Sequence, residues 1–195
     1  MKLSLMSSSL AAFALAAASL PAQAGFYTYL GDTTGAPTFN RPDIPYDDYP
    51  FPEAPSELSA QATNVAYHAF SFTVGTAGGY TFLTQAETPD YDTFVILYEG
   101  SFNPASPMAN AVMANDDAIY YNTSGLIYAL VVGQSYTYVV TGFDNAQAGA
   151  FSTTISGPGV ITAAAAVPEP ASYGLMALGL VGIAACARRR SSPRA

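Results

Sequence analysis

The chain has 195 residues, with no tryptophan, one histidine and one cysteine. Between Gly25 and Val167, thirteen acidic residues stand against one base, Arg41, for a net charge of −12. That balance speaks against nucleic-acid binding, which needs Lys and Arg against phosphate. Cys186 lies in the C-terminal apolar run, so the region before it has neither a disulfide nor a thiol nucleophile.

Residues 1–24 have the layout of a secretory signal peptide. Lys2 gives a positive start, and Leu10 to Leu20 is apolar and uncharged. Ala22 and Ala24 put small residues at the two positions a signal peptidase reads, so cleavage is expected after Ala24. The alternative, an N-terminal anchor, is disfavoured because this run has 11 residues, against about 20 for a membrane span.

Phe26 to Leu30 reads as a first strand and Gly31 to Gly35 as a turn. From Asn40 to Pro55 five prolines interrupt the chain. Each removes a donor and fixes φ, which rules out a central strand or a helix. An extended surface segment is expected there, packed by Tyr46, Tyr49 and Phe51. His68, Phe70, Phe72 and Val74 then alternate with smaller or more polar residues, the period of a strand with one apolar face. Tyr80 to Thr84 is the next strand, and the near-continuous apolar run Thr93 to Tyr98 predicts a central one. A loop over 101–110 leads to a short strand near Ala111 to Ala114, followed by Asn115-Asp116-Asp117. Alternation returns from Leu126 to Val132, then at Tyr136 to Thr141 and Ala150 to Ile155. The spacing predicts an all-β fold: a β-sandwich or jelly roll of about seven to nine short antiparallel strands over 25–160. Residues 161–167, mostly Ala, are expected to be a flexible linker.

Residues 168–195 form a distinct tail. Pro168-Glu169-Pro170 precedes an apolar stretch from Ala171 to Ala187, 17 residues long and at the lower limit for a transmembrane helix. Arg188-Arg189-Arg190 follows at once, a basic cluster of the kind that stays on the cytoplasmic side. The triple Arg and the terminal position argue against a buried core helix. This tail resembles the PEP-CTERM sorting signal of bacteria that make extracellular polysaccharide. The resemblance implies recognition by an exosortase, a transpeptidase-like membrane protease that cuts near the motif.

The middle of the chain resembles the bacterial pre-peptidase C-terminal (PPC-like) domain family. The matching residues are Tyr67 to Val74, Gly79 to Phe82, Asp92-Thr93-Phe94 with Leu97-Tyr98, and Ser101 to Pro104. Asn115-Asp116-Asp117, Leu130 with Gly133 and Tyr136, and Gly149 to Ile155 complete them. The resemblance implies a β-sandwich, often an accessory module, with calcium bound in some members.

Candidate chemistry is sparse. His68 sits on a strand face, where packing is the simpler role, and the chain has no G-x-S-x-G elbow for a hydrolytic triad. One His without a secreted Cys argues against zinc. The acids are more informative. Asp92 precedes the central strand, while Asp116 and Asp117 end a shorter one. Calcium takes several hard oxygens of this kind, and family resemblance makes these loops neighbours. Turn formation is the competing explanation, because Asp and Asn cap turns and tolerate left-handed backbone. The expected function is that of an exported, non-enzymatic structural or adhesion protein of the cell surface or extracellular, exopolysaccharide-associated matrix. A calcium-stabilised carbohydrate-binding module is the alternative, with a secreted hydrolase behind it. Expected partners are signal peptidase, exosortase and extracellular polysaccharide, with the membrane engaged through the tail before processing.

Overall fold

In the computed structural model, residues 24–45, 51–118, 120 and 122–164 are described. The expected signal peptide, the transmembrane helix and the sorting motif at Pro168, Glu169, Pro170 and Arg188, Arg189, Arg190 lie outside them, apart from Ala24, which is exposed.

Two antiparallel sheets build a sandwich. One has four strands in the order β1 (Gly25–Asp32), β11 (Ala150–Gly157), β6 (Gly78–Ala86), β9 (Thr123–Leu130). The other follows the order β12 (Ile161–Ala163), β5 (Val65–Val74), β10 (Tyr136–Gly142), β7 (Thr93–Glu99), β8 (Ala111–Asn115). The short β2 (Thr38–Phe39) also pairs with β5, and β3 (Pro42–Asp43) pairs with β4 (Glu57–Leu58).

Period-2 alternation sends Phe70, Phe72 and Val74 of β5, and Tyr136, Tyr138 and Val140 of β10, into the space between the sheets. There they meet Tyr80 and Phe82 of β6 and Phe151 and Ile155 of β11. The polar groups of this core are paired: Thr84 Oγ1 lies 3.0 Å from the Tyr138 hydroxyl and 2.8 Å from Thr153 Oγ1.

β7 is buried along all but its last residue, because both of its faces are covered. Val95 and Leu97 point between the sheets. Phe94, Ile96 and Tyr98 point outward into a second apolar cluster with Val139, Phe39, Val65 and Ala62. The proline-rich segment covers this outer face. It starts at one edge of the sheet, where β2 pairs with β5, and Glu53 reaches the other edge in a bridge to Ala114 of β8.

Three expectations need correction. Within that segment Ile44 packs against the outer cluster, beside Phe39 just before it, whereas Phe51 is 68 % exposed; Tyr46 and Tyr49 lie outside the described residues. The alternation ends at Leu130, with Val131 and Val132 exposed in the following turn. The sheet also runs past residue 160. Ile161 to Ala163 pair with Val74 to Phe72, and the Ala164 N–H donates to the Ser71 carbonyl at 2.8 Å. Buried Ile161 holds this stretch in place, so the first residues of the expected linker belong to the sandwich.

Candidate metal centre

At one end of the larger sheet, β7 begins, β8 ends and β10 ends: Thr93 lies opposite Gly142, and Val95 opposite Asn115. The loops leaving these points carry the acids. Before β7, Asp90 adopts φ 60°, a left-handed turn conformation that Asp tolerates better than most residues. For Asp90 the turn explanation suffices. Two residues on, the Asp92 N–H donates to Gln147 Oε1 at 2.9 Å, and its carbonyl accepts from the Phe143 N–H at 3.1 Å. The 143–147 loop can lie this close because Gly142 has no side chain; a Cβ there would collide with Gln147.

On the other side, the buried Asn115 closes β8. Its Oδ1 accepts from the Gly125 N–H at 2.9 Å, which fixes where the chain leaves the strand. Ser124 Oγ, 2.6 Å from Thr93 Oγ1, ties β9 to the start of β7. Asp116 and Asp117 follow, and the Ala118 N–H closes the turn on the Thr123 carbonyl at 2.7 Å.

Asp92, Asp116 and Asp117, the three acids singled out in the sequence, converge here. Each is partly buried, and one carboxylate oxygen from each lies within 4.8 Å of the others. Oδ1 of Asp92 and of Asp116 is buried without a hydrogen-bond partner among the described residues. Burial pushes the Asp116 carboxyl up to about 7, and the charges of Asp92 and Asp117 push the same way. Asp92 is pushed up to about 6, first by burial and then by Asp117 and Asp144.

Arg41 offsets part of this charge. It is 1 % exposed and its guanidinium lies 3.6 Å from the centre of the Phe94 ring. It donates to Asp43 Oδ1 at 3.0 Å, to the Pro42 carbonyl at 3.1 Å and to the Phe143 carbonyl at 2.9 Å. Burial lowers its pKa, and Asp43, Asp116 and Asp92 hold it up. In the sequence Arg41 is only the lone base of the region. The Pro42 beside it was the available signal that it belongs to an extended strap, but nothing in the sequence places that strap over β7.

His68 stands apart from the acids. Its two ring nitrogens lie 2.8 and 2.9 Å from the Tyr29 hydroxyl, and its ring contacts Phe151 edge-on. Burial lowers its pKa, with the Ala69 backbone opposing.

Beyond the described residues, 166–190 match the PEP-CTERM protein-sorting motif. The match takes in Pro168-Glu169-Pro170, the apolar run and the three arginines. It marks an exported protein, held in the membrane by its tail until an exosortase processes it. No curated protein matches the chain.

Proposed function

We propose that the processed protein is a non-enzymatic structural or adhesion component of the cell surface or extracellular matrix, with a sandwich tied together by calcium at Asp92, Asp116 and Asp117. The observation that carries this reading is the convergence of three carboxylates from two loops. Calcium holds its oxygens at about 2.3–2.6 Å, so any two of them lie no more than about 5.2 Å apart, and one oxygen of each of these carboxylates lies within 4.8 Å of the others. One divalent ion offsets the repulsion that raises both pKa values and links the start of β7 to the end of β8.

The PPC-like assignment belongs to the same proposal. Its quoted segments fall on β5, β6, β7, β10 and β11, at the end of β9, and on the loops around 101–104, 115–117 and 133, the strands and turns that such a sandwich would have. Signal-peptidase cleavage after Ala24 is the export step this reading assumes.

Calorimetric titration of the processed protein tests the metal site. One calcium per chain is expected, with binding lost in Asp92→Asn and Asp116→Asn. No heat of binding in the native protein would end the calcium reading.

A surface hollow favours the carbohydrate-binding module as a second reading. It measures about 480 Å³ and is lined by Pro37, Tyr67, His68, Ala69, Phe102 and Pro104, among others. That falls within the size range of small-ligand sites, and its aromatic rings suit sugar faces. Glycan-array binding that disappears in Phe102→Ala would establish it; an array without hits would remove it.

A further inference from the structure

β5 has one edge paired throughout and one edge interrupted. β10 runs along the first from Tyr67 to Phe72. On the opposite edge β12 covers Phe72 to Val74, and β2 covers Val65 and Ala66. Just inside these, the Ser71 carbonyl accepts from the Ala164 N–H, and the Tyr67 N–H donates to the Pro37 carbonyl. Three positions remain between them: His68, Ala69 and Phe70. Among the described residues, no strand lies beside them on this edge. The backbone groups of successive residues alternate between the two edges of a strand. Ser71 and Tyr67 both bond across the interrupted edge, so the N–H of Ala69, midway between them, points there too. Ala69 is exposed. An open stretch of sheet edge is a template for a further strand.

The chain supplies a segment of matching length. Ala165, Ala166 and Val167, which lie outside the described residues, separate Ala164 from Pro168. We propose that these three residues fill the slot, so that the segment before the sorting motif docks on the sandwich. The register that pairs Ile161 with Val74 and Ala163 with Phe72 continues to Ala165 opposite Phe70, Ala166 opposite Ala69 and Val167 opposite His68. Ala166 takes the hydrogen-bonding position, its carbonyl accepting from the Ala69 N–H. The parity that turns Ile161 into the core gives Val167 the same face. That puts it beside His68, whose ring packs on Tyr29 and Phe151. Pairing stops at Pro168 for two reasons. Pro37 already holds the place opposite Tyr67, and a proline has no N–H to add to the ladder. Slot and segment therefore end at the same point. The motif begins at the surface of the sandwich, beside the hollow lined by Pro37, Tyr67 and Phe102, and not at the end of a free linker. Pro168-Glu169-Pro170, about 10 Å of extended chain, separates the docked segment from the apolar run that starts at Ala171. The exosortase meets its motif with the folded domain against it.

The test uses the exported chain with its tail, in detergent. Hydrogen exchange followed by NMR reads the Ala69 amide. It should be protected, and should exchange about tenfold or more faster in Ala166→Pro, which keeps the segment from pairing. Cross-linking reads the register, in a Cys186→Ser background. Val167 and His68 would form a non-hydrogen-bonded pair with Cα atoms about 4.5 Å apart, within disulfide reach. His68→Cys with Val167→Cys should therefore form a disulfide. His68→Cys with Ala166→Cys, one residue out of register and on the opposite face, should form far less. An unprotected Ala69 amide, or one indifferent to Ala166→Pro, overturns the proposal, as do two cysteine pairs that oxidise alike. So does protection that grows with protein concentration, which would put another chain's strand in the slot.

Discussion

The two outer faces of the sandwich are built from the same strand alternation and end up in opposite conditions. On the six-stranded sheet, the outward residues Phe94, Ile96 and Tyr98 lie under the strap and the 101–110 loop and are almost wholly buried. On the four-stranded sheet, Phe26, Leu30 and Ile127 also point outward and remain 67–72 % exposed. The covered face can therefore bury a charged network, Arg41 with its carboxylates, at the rim of an apolar layer. The open face excludes charge and keeps its hydroxyls and apolar groups available. Strand patterning alone does not decide burial; the connecting segments do.

The sharpest way to break this comparison is to make one truncation on each face. Phe39→Ala removes a ring that is 4 % exposed and packs against Tyr67 and Phe102. It should cost about 3–5 kcal/mol in urea unfolding. Phe26→Ala should change stability by less than about 0.5 kcal/mol. Equal effects would mean that the strap does not form a core.

Arg41→Met comes next. It keeps a long apolar stem over Phe94 but removes the charge that Asp43, Asp92 and Asp116 share. Breaking a buried pair in this way costs about 3 kcal/mol. The loss should shrink when calcium is present, because the ion takes over part of the compensation.

Stability should also depend on pH. Without calcium, Asp92 and Asp116 have folded-state pKa values raised to about 6 and about 7, against 3.8 for the ordinary group. The folded protein then binds more protons than the unfolded chain across this window. Stability from these groups is therefore full near pH 4 and falls as pH rises toward 7. The decline should amount to roughly 2 kcal/mol after allowance for solvent screening. Saturating calcium should flatten or reverse the slope, since it holds both groups ionised. Urea melts at pH 5 and pH 8, with and without calcium, would read this directly.

Much of the sandwich was legible in the sequence. Alternation in β11 and from Phe70 onward in β5, and the unbroken apolar run of β7, each report local burial, and local burial sets strand period. The sequence puts the three acids on loops beside strands, and the family resemblance made those loops neighbours; the structure brings their carboxylates together. The strap was not legible in the sequence. Its prolines say that the backbone is extended, yet only long-range contacts bring Phe39 onto β5 and Glu53 onto β8. β12 was hidden for a related reason: three residues in an alanine-rich stretch carry almost no pattern, and pairing with the edge of β5 decides their state. Phe51 misled because an aromatic in a proline-rich segment can cover a core or stand clear of it, and nothing local distinguishes the two.

We propose that Asp92, Asp116 and Asp117 hold a calcium ion that ties the covered side of the sandwich together. Thermal melting of the processed protein in millimolar calcium and in chelator tests it most directly. A ligand at a hundredfold excess over Kd adds about 2.7 kcal/mol of stability. A reversible rise of several degrees in Tm is therefore expected, smaller with magnesium and absent in the double variant Asp116→Asn with Asp117→Asn. The same Tm in calcium and in chelator would contradict the account and leave these acids as turn residues and surface charge.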